Sequence, residues 1–84
     1  MTIKNDGALD KWIIEALKAH GGSASIVDIC KHIWEFHESD LRKSGDDFYT
    51  WQYDMRWVGN RLREEGVLQP KKRGDRGPWR LLID

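Results

Sequence analysis

The sequence predicts an α+β domain, with three amphipathic helices followed by a short β-hairpin. Three observations carry this. Apolar residues recur at helical spacing in three separate stretches. Glycines or clusters of turn-forming residues close each stretch. Past Gly66 the helical period gives way to two short runs of strand-forming residues, split by a basic loop that two prolines bound.

The first helix is defined by Leu9, Trp12, Ile13, Ala16, Leu17 and His20, spaced three and four apart. Asn5 or Asp6 caps its start, and Gly21-Gly22 ends it with residues free to take positive φ. His20 in the last turn suits the negative end of the helix dipole. Ser23-Ala24-Ser25 is too short for more than a connector or a token strand. Ser25 followed by Asp28 resembles a capping box with the shorter acid. The second helix runs from about Ile26 to His37 and continues, or restarts at Ser39, through about Lys43. Ile26, Ile29, Cys30 and Ile33 are expected to face inward, with Val27, Trp34 and Leu41 as a second apolar line.

Ser44-Gly45-Asp46-Asp47 is a turn signal. The third helix starts between Asp46 and Thr50, because Asp46, Asp47 and Thr50 are all good caps, and it ends before Gly66. Its apolar stripe is Trp51, Met55, Val58 and Leu62. Val67-Leu68-Gln69 and Trp79-Arg80-Leu81-Leu82-Ile83 then read as strands around a loop from Pro70 to Pro78.

Length and composition bound the function. Eighty-four residues make one domain, spanning 1–84, too small for most buried, multi-loop active sites. At 39% apolar and 33% charged residues the chain is globular, and five tryptophans help fill a small core. Cys30 is the only cysteine, so no intramolecular disulfide forms and a reducing compartment is the natural setting. The N-terminus lacks a signal-peptide core, and no apolar run is long enough for a bilayer, so a soluble cytoplasmic protein with no membrane partner is expected. Asp46-Asp47 and Glu64-Glu65 are adjacent carboxylates that do not converge, and Lys71-Lys72-Arg73 lacks the glycine spacing of a nucleotide-binding loop. Neither catalysis nor a cofactor is expected. Cys30 and His32 lie about 200° apart on a helix, and His37 adds no second cluster, so no metal is expected.

The net charge is zero, but its distribution is uneven. Residues 1–55 carry six basic and ten acidic side chains, a net of −4; residues 56–80 carry eight basic and three acidic, a net of +5. A partner feels the local field within about 10 Å rather than the sum. Opposite the apolar stripe, the third helix presents Gln52, Tyr53, Arg56, Asn60 and Arg63, with Thr50 at its start. Arginine pairs with guanine, and asparagine or glutamine with adenine, through two hydrogen bonds in the major groove. Lys71, Lys72, Arg73 and Arg76 in the loop suit phosphates or a minor groove. Three helices and a basic hairpin in this order make a winged helix-turn-helix, with the third helix as groove reader and the loop as wing. Tyr53 is expected to be exposed, its hydroxyl in reach of a phosphate. Trp57, off the apolar stripe, either packs against the hairpin or lies open at a contact surface; packing is the favoured expectation.

Phe48-Tyr49-Thr50, then the run Met55 to Leu68 with Trp57, Leu62 and Gly66-Val67-Leu68, then Arg76-Gly77-Pro78-Trp79-Arg80-Leu81 resemble the winged-helix domain at the N-terminus of Mrr-type restriction endonucleases. The resemblance runs from about Leu9 to Leu82. It implies the same fold and a DNA-recognising, restriction-modification-related role. In that family the domain is usually fused to a nuclease, whose motifs this sequence lacks, so a stand-alone module for double-stranded DNA is expected. The alternative is a protein-interaction module, a homodimer or a complex with a separately encoded partner, with Trp57, Tyr53 and Trp34 as anchors.

Overall fold

A computed structural model describes residues 6–43, 45, 47–71, 74 and 77–82, and within these leaves the side chains of Asp6, Gly7, Asp47 and Phe48 undescribed. The sequence expectations at Asn5, Ser44, Asp46, Lys72, Arg73, Arg76 and Ile83 lie outside the described residues. The elements are α1 (Asp6–Ala19), β1 (Ser23–Ala24), α2 (Ile26–Lys43), α3 (Asp47–Glu64) and β2 (Trp79–Arg80). The α+β class read from the sequence is the class found: three helices and a two-stranded antiparallel sheet.

Leu9, Trp12, Ile13, Ala16 and Leu17 form the buried row of α1. His20 is exposed, and its Nδ1 donates to the Ala16 carbonyl at 2.9 Å, closing the last turn. The helix ends on Gly21 at φ 77°, where the Gly22 N–H donates to the Leu17 carbonyl. α3 ends the same way on Gly66 at φ 80°, with the Val67 N–H on the Leu62 carbonyl. Positive φ at these two positions turns the chain back toward the core at little cost to glycine.

The Ser25 Oγ accepts from the Asp28 N–H at 3.1 Å and so caps α2. Ile29, Ile33 and Leu41 are the buried residues of α2. The helix is broken at His37, whose backbone is non-helical (φ −131°, ψ 17°). On a regular helix Leu41 would lie roughly 120° around from Ile29. The break changes that phase, and Leu41 is fully buried. The inward expectation fails at several positions here. Ile26, Val27 and Trp34 are exposed, and Cys30 is only partly buried. Val27 and Trp34 sit roughly 120–140° from the Ile29/Ile33 row, away from the buried side of the helix.

The sheet also differs from the expected hairpin. β2 pairs with β1, Ser23 opposite Arg80 and Ala24 opposite Trp79. Residues 67–69 contribute a single bridge, Leu68 to Leu81, with Gln69 N–H donating to the Arg80 carbonyl and Leu82 N–H to the Val67 carbonyl. On the other edge the Leu81 N–H donates to the Gly22 carbonyl. The segment 79–81 thus lies between two short partners, because the Gly21-Gly22 turn delivers β1 to it.

Of the five tryptophans, Trp12, Trp51 and Trp79 are in the core, while Trp34 and Trp57 are exposed. Trp79 fastens β2 to α3. A Cβ built on Gly59 would lie 2.6 Å from the Trp79 ring, so only glycine admits the ring at this place. Gly59→Ala is expected to be net destabilising. Overpacking costs about 1–3 kcal/mol, against about 1 kcal/mol gained in helix propensity. A melt of this variant at or above the wild-type temperature would contradict the packing.

Candidate nucleic-acid interface

Burial of Trp51, Met55, Val58 and Leu62 fixes the rotation of α3, and with it the outward face. Gln52, Tyr53, Arg56 and Asn60 all lie on that face and are exposed. Arg56 has no ion-pair partner among the described residues. Thr50 is exposed as well, its hydroxyl donating to Asp54 Oδ2 at 3.5 Å.

Arg63 is half-buried. Its guanidinium donates to Asn60 Oδ1 at 2.9 Å and lies 4.9 Å from the centre of the Trp79 ring. Burial pushes its pKa down, though a guanidinium stays charged at any physiological pH. Arginine can only donate, so Asn60 must turn Oδ1 toward it and keeps its NH2 free to donate outward. The two residues act as one unit, seated on the tryptophan that holds β2. The remaining basic residue of this turn, Arg61, belongs to the scaffold: it donates to the Asp10 carboxylate of α1 and lies 3.7 Å from Glu65.

At the base of the loop the Lys71 ammonium donates to the Gly77 carbonyl at 2.7 Å. It therefore ties the two loop ends together as well as adding charge. Lys72, Arg73 and Arg76 lie outside the described residues. The structure thus brings the polar row of α3 and the root of the basic loop to the two sides of the Gly59–Trp79 contact.

Trp57 is 63% exposed, which corrects the favoured expectation that it packs against the hairpin. The hairpin partner of α3 is Trp79, and it docks at Gly59, on a different side of the helix. Tyr53 is 62% exposed and Tyr49 83%. Tyr49 is a surface residue of this face that the sequence reading leaves out. Its signal is the spacing of four from Tyr53 and eight from Trp57, which sets the three rings in a line beside Arg56 and Asn60.

A second cluster joins α1 to α2. The Nε2 atoms of His32 and His37 lie 2.7 and 3.0 Å from one oxygen, Glu15 Oε2. The His37 ring stacks on Trp12 at 4.3 Å between centroids, and His37 Nδ1 is 3.9 Å from Asp40. Among the described residues no group of three His, Cys, Asp or Glu is arranged to hold a metal ion. The contacts of His32 and His37 with Glu15 are hydrogen bonds. Those from His32 first, then His37, hold the Glu15 carboxyl below its ordinary value of 4.5. A depressed carboxyl pKa stabilises the fold above the unfolded value, and the effect is lost as pH falls through the folded one. Glu15 is 46% exposed, which keeps the effect below about 1 kcal/mol. Glu15→Gln should therefore melt lower than wild type at pH 7. The gap should close in acid well below the ordinary carboxylate pKa; one that persisted there would contradict this account.

Among the described residues no helix is long and apolar enough to cross a membrane. Comparison of the chain with protein-family models, with curated proteins and with solved structures gives no match.

Proposed function

We propose that the chain is a winged-helix module for double-stranded DNA, with α3 in the major groove and the 70–78 loop as a wing on phosphates or the neighbouring minor groove. The observation that carries this reading is the Gly59–Trp79 contact. It holds the root of a loop with four basic residues beside an exposed helix face bearing Gln52, Arg56 and Asn60, with the half-buried Arg63 at its edge. The order of helices and strands supports it, as does the resemblance of residues 9–82 to the Mrr-type N-terminal domain. So does the charge segregation, net +5 over residues 56–80. The acidic residues of the preceding segment favour one orientation on a polyanion.

Anisotropy of a labelled duplex tests the reading. Affinity should fall steeply between low and moderate salt, since each neutralised phosphate releases counterions. Arg56→Ala should weaken binding by about 1–3 kcal/mol and relax preference at one base position. An affinity that does not move with salt, or that Arg56→Ala leaves unchanged, contradicts it. A second reading, a protein-interaction or dimerisation module, is favoured by one observation: Val27 and Trp34 on α2 and the rings of α3 leave apolar surface open. Sedimentation at several concentrations separates the two, as that reading requires self-association or a protein partner without DNA affinity.

A further inference from the structure

We propose that the aromatic row of α3, Tyr49, Tyr53 and Trp57, takes unpaired DNA bases, so that the chain prefers DNA carrying a short single-stranded stretch over intact duplex. This rests on the reading of α3 and the loop as a DNA-binding face. It adds the class of DNA.

Successive rings of the row are spaced for separated bases. Residues four apart on a helix are offset by about 6 Å along its axis. Bases stacked in one strand of a duplex are about 3.4 Å apart. Successive rings therefore match bases separated to nearly twice the stacked distance. An unpaired, extended strand reaches that separation freely, whereas a duplex reaches it only by unstacking a step at a cost of about a few kcal/mol. All three rings are more than three-fifths exposed, and Tyr53 and Trp57 have no ring partner among the described residues. A groove reader needs polar side chains on such a face. Aromatic faces beside a basic track are instead the equipment for holding single strands, because every base has a π-face.

Charge complementarity points the same way. Arg56 lies on the flank of the row nearer Gly59 and Trp79, and Arg63 continues that side beyond Trp57, both in the segment of net +5. Arg56, without an ion-pair partner among the described residues, leaves an uncompensated positive charge next to Tyr53, which suits a polyanion. A strand whose phosphates are drawn to the positive side of the row would turn its bases onto the rings, while Gln52, Asn60 and the wing hold the adjoining duplex.

The test uses the whole chain and four labelled nucleic acids of equal length: a duplex, the same duplex with a central gap of about four nucleotides, the single DNA strand, and that strand as RNA. Tyr53→Ala and Trp57→Ala remove exposed rings, and circular dichroism confirms their folding. Tyr53→Phe and Trp57→Phe keep a ring. The gapped duplex should bind roughly tenfold or more tightly than the intact one, with quenching of tryptophan fluorescence. The Ala variants should lose that preference and the Phe variants should retain it. Equal affinity for gapped and intact duplex, or a preference that survives both Ala variants, overturns this inference and leaves the DNA reading standing. RNA bound as tightly as gapped DNA also overturns it. Absence of binding to every nucleic acid overturns both readings. Self-association abolished by Trp57→Ala, without any DNA preference, would overturn it too and assign the row to a protein interface.

Discussion

Trp79→Ala is expected to destabilise the domain by about 3–5 kcal/mol, the cost of emptying a large buried aromatic site. Trp79 is only 6% exposed. A chain of 84 residues has a total stability of only about 4–13 kcal/mol, so the loss is comparable with the whole. Three things go together. The ring leaves a cavity against Gly59, the β1–β2 pairing at Ala24–Trp79 loses its side-chain anchor, and Arg63 loses the ring it lies over. Trp79→Phe keeps part of the ring and should cost less. Urea denaturation reads both. A Trp79→Ala protein that unfolds at the wild-type midpoint would mean that the strand and the loop are not fastened to α3.

The second large effect is on binding. Changing Lys71, Lys72 and Arg73 together to Ala should weaken binding to all duplexes alike, on the order of a hundredfold at roughly 0.1 M salt. The salt dependence of log K should become shallower by about 2–3, roughly 0.9 for each phosphate that is no longer neutralised. Lys71 also bonds the Gly77 carbonyl, so part of its effect acts through the shape of the loop. Lys71→Ala alone should therefore cost more than the removal of a single positive charge implies. A triple variant with unaltered affinity and slope would remove the wing from the proposed interface.

The helical part of this fold is legible in the sequence because burial imposes a period. Leu9, Trp12, Ile13, Ala16 and Leu17, and again Trp51, Met55, Val58 and Leu62, are the rows that the structure buries. Gly21 and Gly66 mark their ends because the required φ is positive. What is not legible depends on neighbours distant in sequence. Ser23 and Ala24 have no strand signature of their own; they become a strand because β2 arrives beside them. Gly59 reads as a weak point in a helix until Trp79 is placed on it. The position of Trp57 on the helix shows that it leaves the core row, but not whether a neighbour covers it. His37 looks like any helical residue, yet the chain breaks there, between the Glu15 carboxylate and the Trp12 ring. The polar row of α3 is readable as a face, but its coupling is not: Arg63 and Asn60 form one unit, and Arg61 is taken up by Asp10.

The central claim is that α3 and the adjoining loop form one DNA-binding face. An NMR titration of isotopically labelled protein with a short duplex tests it most directly. The account predicts amide shifts concentrated at Gln52, Tyr53, Arg56, Trp57, Asn60 and Arg63 and along residues 70–78, with α1 and the N-terminal half of α2 unmoved. Shifts centred on α1 and α2, or on none of these residues at a duplex excess, would contradict it.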